Sequence, residues 1–266
     1  TDINSKTEIN SKEEKREERL NKWLSQMGVC SRREADRLIE AGKVLVDNRP
    51  ASMGQKVTPG QKVVCNGKMV RVDRSQRPRP VLLAVNKPKG IVCTTTDKDR
   101  AENIVDFLGY PERIYPVGRL DKDSEGLLLM TNQGDLVNKI MRSGNAHEKE
   151  YIVTIDKPVT ERFLEQMAGG IRLPELDQVT RPCKVKKVER NTFSIILTQG
   201  LNRQIRRMCE ACGCQVKRLV RVRIMNIRLG NLRTGAYRQI TKEEYEELTG
   251  LLKDSSSLSL KERKNQ

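Results

Sequence analysis

The sequence predicts an α+β protein with a small N-terminal domain and a larger second domain built on a mixed, mainly antiparallel sheet. With 266 residues, the chain is long enough for two domains that each bury a core. The stretch VDRSQRPRP at 72–80 contains two prolines and three arginines without apolar periodicity, which predicts a linker. Beyond it, β-like runs joined by hairpin-length connections favour antiparallel pairing over βαβ winding.

The N-terminal part divides into a charged tail and a compact domain at 19–71. Residues 1–18 are polar and lack an apolar core, so we expect a disordered tail that is neither a signal peptide nor an anchor. Apolar residues from Leu20 to Met27 recur at helical spacing, and Gly28 ends that helix. Ser31 and Glu34 form a capping pattern for a second helix, which Gly42 ends.

Two strands complete this domain, at 43–46 and 62–66, with turn residues between them. The second domain, at 81–252, alternates short strands with helices. Its predicted strands are 81–86, 127–131, 150–155, 193–198 and 216–223, and its predicted helices are 103–108, 135–141, 160–168, 202–211 and 242–248. We expect residues 253–266 to form a second disordered tail.

The charge of the chain predicts a polyanionic partner. Lys and Arg number 51 against 35 Asp and Glu, which gives a net charge of +16. No apolar run approaches the length of a membrane-spanning helix, so nucleic acid is favoured over a membrane. Seven cysteines without the spacing of a disulfide framework indicate free thiols in a reducing compartment, and we expect a cytoplasmic protein.

The segment GRLDKDSEGLLL at 118–129 places an acidic side chain on a basic loop just before a hydrophobic strand. Asp121 is flanked by Arg119 and Lys122, whose positive charge favours the ionised carboxylate. An ionised carboxylate can act as a nucleophile or a base. The structural alternative is an Asp that only shapes the turn before the strand.

Four motifs in order give the chain a family resemblance. GRLDKDSEGLLL, together with NKPKGIV at 86–92, KEYIVT at 149–154 and GLNRQIRRM at 200–208, resembles the rRNA pseudouridine synthases of the RsuA family. The likeness spans Glu17 to Leu252 and is greatest to the RluF-type branch, whose substrate is large-subunit rRNA. The first domain resembles an S4 RNA-binding domain. The chain departs from the family pattern in two places: Ser124-Glu125 stand where many relatives have Thr-Ser, and Cys212 and Cys214 follow the arginine-rich helix. Neither departure replaces Asp121.

The resemblance implies an isomerase that needs no cofactor and no metal. It makes Asp121 the nucleophile or base at the ribose, Tyr151 the residue that stacks on the target uracil, and Arg206 the cation against the catalytic carboxylate. The substrate would be RNA with a flipped or loop uridine, because a stacked base cannot reach the carboxylate. We expect a monomer.

Cations on the motifs and on the first domain are the candidates for RNA contact. In the first domain they interrupt the apolar faces of the helices, and in the second they lie in or beside the motifs. The candidates are Lys22, Arg32, Arg33, Arg37, Lys43, Lys87, Arg119, Arg203 and Arg207.

Two other classes of protein remain open from the sequence. One is a non-catalytic S4-type RNA-binding or ribosome-assembly protein, which charge and the first domain alone do not exclude. The other is a zinc protein built on Cys209, Cys212 and Cys214, although the chain's one histidine, His147, lies in an unrelated loop. Within the enzyme reading, small-subunit rRNA or a tRNA is an alternative substrate.

Overall fold

The structure is a computed structural model that describes residues 17–70, 78–94 and 101–255. The chain divides into two compact units at the peptide between Pro80 and Val81. Most of the expected tail at 1–18, most of the expected linker at 72–80 and the end of the tail at 253–266 lie outside the described residues.

The first unit packs two helices against short strands. The helices are α1 (Leu20–Gln26) and α2 (Arg32–Glu40), and the strands are β1 (Glu18–Arg19), β2 (Val44–Val46), β3 (Arg49–Pro50), β4 (Lys56–Val57), β5 (Val63–Cys65) and β6 (Lys68–Val70). The hydroxyl of Ser31 accepts a hydrogen bond from the Glu34 amide at 3.1 Å, which confirms the predicted start of α2. Both predicted helices and both predicted strands are therefore present, and the four additional strands are only two or three residues long.

The second unit carries the larger sheet. Its strands are β7 (Leu82–Lys87), β8 (Tyr115–Pro116), β9 (Glu125–Thr131), β10 (Lys149–Ile155), β11 (Arg172–Leu173), β12 (Gln178–Val179), β13 (Lys184–Glu189), β14 (Thr192–Leu197), β15 (Val216–Ile224), β16 (Ile227–Arg228) and β17 (Tyr237–Gln239). Its α-helices are α3 (Ile104–Leu108), α4 (Gly134–Met141), α5 (Glu161–Gly169), α6 (Gln204–Ala211) and α7 (Lys242–Leu251), with short 3₁₀ turns at Ser143–Asn145 and Pro174–Leu176. All five predicted strands and all five predicted helices of this unit are confirmed.

The strand order of this sheet is β13-β14-β10-β15-β9-β7-β17 in the part of the chain that the structure describes. Strands β15 and β9 run parallel, whereas the other strand pairs are antiparallel, so the expected mainly antiparallel sheet is confirmed. Strand β13 was not predicted, because its sequence KVKKVE is almost entirely exposed and only Val185 is half-buried, too little for an apolar pattern to reveal.

The parallel junction of β15 and β9 fixes the place of the catalytic candidate. Arg221 pairs with Gly126 at this junction, and the loop that contains Asp121 leads directly into β9. Leu127 to Met130 are completely buried and anchor β9 in the cores on both sides of the sheet. Burying each large apolar side chain stabilises the folded state by about 2 kcal/mol. The start of β9, and with it the end of the loop, is therefore held in a fixed position.

Candidate active site

The loop that carries Asp121 is held by backbone contacts with the segment after β7. The Gly90 amide donates to the Lys122 carbonyl at 2.8 Å, and the Leu120 amide donates to Cys93 Sγ at 3.4 Å. Within the loop, the Ser124 amide closes a turn on the Asp121 carbonyl at 3.0 Å. These bonds show that the NKPKGIV motif and Cys93, the residue after it, support the loop of the GRLDKDSEGLLL motif, although neither the NKPKGIV motif nor Cys93 lines the pocket itself.

Lys87 requires a correction. We expected it to contact RNA, but it is fully buried and its ammonium donates to the carbonyls of Pro88 and Ile91 at 2.8 Å each, with Lys122 O at 3.5 Å. Burial lowers the pKa of this lysine. Because a buried ammonium needs these carbonyls as partners, Lys87 stabilises the loop rather than meeting phosphate.

A pocket of about 630 Å³ opens beside the loop. It brings together the three catalytic candidates Asp121, Tyr151 and Arg206, and two of the candidates for RNA contact, Arg119 and Arg203. Its described lining contains six cationic side chains, Arg119, Arg142, Lys149, Arg203, Arg206 and Arg221, but one carboxylate, that of Asp121. The pocket therefore suits a polyanionic substrate and keeps the Asp121 carboxylate among positive charges.

An ion-pair network joins the loop of Asp121 to the start of α6, and its partners differ from those we expected. Arg203 binds Asp123 through both terminal nitrogens, at 3.0 and 2.9 Å, and its Nη1 lies 3.8 Å from Asp121 Oδ2. Arg206, expected to pair with Asp121, instead donates to the Asp123 carbonyl at 3.0 Å and to Ser124 Oγ at 3.3 Å. The paired guanidinium of Arg203 lowers the pKa of Asp123. The loop turn is thus braced by α6, and Arg203 is the cation next to Asp121.

Tyr151 lies on β10 with its ring half-buried, facing the pocket from the middle of the sheet. It pairs with Arg221 on one side and with Ile195 on the other. A half-buried aromatic ring in a strand with neighbours on both sides is fixed in orientation and still offers a face to a ligand.

Two buried cations of this pocket were missed by the sequence reasoning. Lys149 is 6% exposed and Arg221 is 2% exposed, and both line the pocket. Burial, and then the charge of Arg221, lower the pKa of Lys149 to about 8. Lys149 stands in the KEYIVT motif two residues before Tyr151, which was the available signal. Arg221 had none, because an Arg in a strand is usually solvent-facing.

The remaining candidates for RNA contact lie outside the pocket. Five of them belong to the first unit and are exposed or half-exposed at α1, α2 and just before β2: Lys22, Arg32, Arg33, Arg37 and Lys43. Arg37 also pairs with Glu34 at 3.2 Å. Arg207 is half-buried and donates to the carbonyl and the side-chain oxygen of Asn202, each at 3.0 Å.

The cysteines considered for zinc take part in the core. Cys209 and Cys214 are buried in the apolar cluster beneath α6, and the Cys214 thiol donates to the Cys209 carbonyl at 3.3 Å. In the described part of the chain, no three His, Cys, Asp or Glu side chains are grouped so that they could hold a metal ion. The residues present at this position therefore fit packing rather than a zinc centre.

Comparison with known families matches both units. Residues 81–211 match the RNA pseudouridylate synthase family, and residues 18–63 match the S4 domain. The fold is thus an N-terminal S4 domain followed by a pseudouridine synthase domain. A crystal structure of a pseudouridylate synthase superposes with a TM-score of 0.64 at 27% identity, covering 86% of this chain and 99% of that one.

Curated relatives extend the match over most of the chain. The dual-specificity RNA pseudouridine synthase RluF of Escherichia coli (strain K12) is 52% identical over 239 residues, which is 90% of this chain and 81% of the relative. The ribosomal large subunit pseudouridine synthase B of Bacillus subtilis (strain 168) is 36% identical over 242 residues, 88% of this chain and 96% of the relative.

Proposed function

The chain belongs to the RNA pseudouridylate synthase family, and we propose that it converts a uridine of large-subunit ribosomal RNA to pseudouridine. The observation that carries this assignment is the pocket that holds the Asp121 carboxylate among six cationic side chains, with the ring of Tyr151 in the same lining. A protein that only bound RNA would have no use for an acidic residue in a cleft built to receive phosphate.

The reaction breaks the C1′–N1 bond of uridine, turns the base and joins C1′ to C5. The C5 proton is lost and N1 gains one, so that atoms and oxidation states are unchanged and no cofactor is required. The enzyme must supply a carboxylate at the ribose, a surface that holds the free base, and a group that accepts the C5 proton.

Three side chains are proposed for these tasks. Asp121 attacks C1′ as a nucleophile or removes the neighbouring C2′ proton as a base, and the Arg203 guanidinium lies 3.8 Å from its carboxylate. Tyr151 stacks on the uracil, and its phenol oxygen assists removal of the C5 proton. Arg206 acts through the loop, since its bonds to the Asp123 carbonyl and to Ser124 hold the turn that positions Asp121.

RNA recognition is proposed for both units. A uridine must leave its stack to reach Asp121, so the target lies in a loop or is flipped out. The exposed cations of α2, Arg32 and Arg33, contact phosphates of the surrounding rRNA, and Arg119 and Arg203 contact those at the pocket. One relative is named a dual-specificity synthase, so more than one RNA should be tested. Small-subunit rRNA and tRNA, the alternatives left open by the sequence, are to be compared with large-subunit rRNA.

We further propose that the protein acts as a monomer in the cytoplasm. Light scattering of the purified protein, with and without RNA, would measure its oligomeric state. Among the residues that the structure describes, no helix combines the length and the apolar character that crossing a membrane requires.

The test is Asp121→Asn, which keeps the shape of the side chain and removes its charge. We expect release of tritium from rRNA labelled at C5 of uridine to fall by about 10⁴-fold or more, as it does when other covalent catalytic groups are removed. RNA binding should remain within about threefold of wild type, a change of less than about 0.7 kcal/mol.

Asp177→Asn is the matched control. Asp177 is exposed, lies at a left-handed turn position that Asn also adopts readily, and is absent from the pocket. This variant should release tritium at the wild-type rate. Wild-type turnover by Asp121→Asn on the same RNA would remove Asp121 from the mechanism.

A further inference from the structure

Two buried cations on the floor of the pocket have no part in the steps above. Lys149 precedes Tyr151 by two residues on β10 and therefore shares its face of the sheet. Arg221 pairs with Tyr151 from the neighbouring strand β15. Both side chains line the pocket and are more than nine-tenths buried. The ring of Tyr151 is thus bordered by two cations that solvent scarcely reaches.

Neither cation is fully satisfied by the protein. Arg221 donates through Nε to the Leu127 carbonyl at 2.7 Å and through Nη1 to the Arg119 carbonyl at 3.5 Å, but its Nη2 is buried without a hydrogen-bond partner. In the described part of the chain, the Lys149 ammonium, with three donor hydrogens, makes one hydrogen bond, to the His147 carbonyl at 3.3 Å. Within the described ranges, no carboxylate lies at ion-pair distance from either side chain.

Two buried cations destabilise the folded protein unless an anion or a polar ligand binds them. A buried cation without a counter-ion loses its hydration without compensation, and two neighbouring cations repel each other. Apolar side chains of similar volume would stabilise the same sheet better. Donors that are fixed, buried and unpaired are what a site needs when it must stabilise charge that appears during a reaction.

We propose that Lys149 and Arg221 form a cationic floor that binds a carbonyl oxygen of uracil while the base is detached from the ribose as an anion. The inference rests on the proposed function and adds the group that stabilises its leaving base. The ring that would stack on uracil, Tyr151, is the neighbour that Lys149 and Arg221 share, so a base on that ring lies beside both cations.

The charge balance of the reaction supplies the anion. When the C1′–N1 bond breaks, its electron pair stays with uracil and spreads over N1, O2 and O4. The ribose is completed either by a bond from an Asp121 oxygen to C1′ or by loss of the C2′ proton to Asp121. Uracil departs with one negative charge by either route, so the floor is useful in both. C5 then bonds to C1′ as the Asp121 oxygen leaves C1′, or as Asp121 returns the proton to C2′. Loss of the C5 proton and protonation of N1 complete the product.

Phosphate is the competing ligand for these cations, and the burial of the lining residues favours the base. Arg119 is exposed and the side chain of Arg203 is 41% exposed, so both can meet a backbone phosphate that stays in solvent. Lys149 and Arg221 line the same pocket but are almost entirely shielded from solvent, so a base that has left its stack can approach them more readily than a hydrated backbone phosphate.

The test uses the full chain with Lys149→Met, which keeps the length of the side chain and removes its charge, and Lys149→Arg, which keeps the charge. With enzyme in excess over C5-tritiated rRNA, we expect the rate of tritium release by Lys149→Met to fall by about 10²-fold, the loss seen when one donor to a reaction anion is removed. Its affinity for RNA should stay within about threefold of wild type. Lys149→Arg should release tritium much faster than Lys149→Met.

The matched control is Lys186→Met, at an exposed lysine of β13 outside the pocket. This variant should bind RNA and release tritium as wild type does.

A second substrate separates leaving-group stabilisation from a structural effect. Fluorine at C5 withdraws electrons and makes the uracil anion more stable by itself. The defect of Lys149→Met, followed as consumption of 5-fluorouridine in the RNA, should therefore be several-fold smaller than with uridine. An equal defect on both substrates overturns the proposal, as does weaker RNA binding with an unchanged rate at saturation, which would indicate a phosphate contact. If the wild type itself released no tritium, the proposed function would fail instead.

Discussion

Gly126 offers a stringent test of how the fold positions the site. It is the second residue of β9, has φ of +104°, and pairs with Arg221 where β9 and β15 run parallel. A Cβ added there would overlap the Arg221 carbonyl oxygen and lie 2.8 Å from the Arg221 amide nitrogen. Both atoms are backbone, so no side chain can rotate to relieve the contact. We expect Gly126→Ala to force the two strands apart.

The magnitude follows from two contributions. A non-glycine residue at positive φ costs about 1–2 kcal/mol. Separation of β15 from β9 weakens the backbone hydrogen bonds at the pairs Val220–Glu125 and Arg221–Gly126, each worth about 1 kcal/mol net. The free energy of unfolding should therefore fall by about 3–4 kcal/mol, a large part of the stability of a typical domain. With an m-value of about 2–3 kcal/mol/M, the urea midpoint should move down by about 1–2 M.

Urea unfolding followed by two probes measures this effect. Circular dichroism covers both units, whereas fluorescence of Trp23, the chain's one tryptophan, reports the first unit, where it is buried. The downward shift should be seen in circular dichroism. Gly250→Ala is the control, because Gly250 lies in α7 with nothing within 4 Å of its added Cβ, and Ala there should stabilise by about 0.5–1 kcal/mol. A Gly126→Ala midpoint equal to wild type would refute the close approach of β15 to β9.

Two further predictions concern the substrate. Tyr151→Phe keeps the stacking face, so it should bind RNA as wild type does but release C5 tritium more slowly. Tyr151→Leu should release tritium slowly and also bind RNA more weakly, and identical behaviour of the two variants would contradict both assigned roles. Arg32→Gln combined with Arg33→Gln should reduce the slope of log affinity against log salt by up to about 1.8 on a duplex rRNA fragment, since each lost phosphate contact removes about 0.9. The control is Lys186→Gln combined with Lys187→Gln, two exposed lysines of β13 whose replacement changes the charge by the same amount. If this control lowered the salt slope equally, Arg32 and Arg33 would make no specific contact with RNA.

Most of the secondary structure could be predicted because its determinants are local. The apolar repeat from Leu20 and the cap at Ser31 define the first two helices without reference to the rest of the chain. Strand β13 shows the limit of such reasoning. It is recognisable only through its partner β14, since its own lysines face solvent along the edge of the sheet. This edge strand buries little beyond Val185, which is too little apolar surface for a pattern to be read.

Part of the site was predictable because its residues stand in short local motifs. Asp121, Tyr151 and Arg206 stand in short motifs, and the structure places all three in one pocket. Their contacts were not predictable, because they depend on which side chains of a distant segment arrive at the loop. Arg206 was expected at Asp121 and instead braces Asp123 and Ser124. Lys87 was expected at the surface and is buried beneath the loop.

Arg221 shows why one functional residue left no signal in the sequence. Simple alternation along RLVRVRI would place Arg221 and Arg223 on the same face of β15. The pairing instead shifts by one residue, because Glu150 lies opposite Arg223 and the next residue, Tyr151, lies opposite Arg221. Such a bulge turns neighbouring side chains apart. Arg223 accordingly forms ion pairs with Glu148 and Glu150, at 3.2 and 3.7 Å, while Arg221 enters the pocket without one. The irregularity, which is a property of two strands together, therefore separates an arginine that stabilises the sheet from one that is free to meet the substrate.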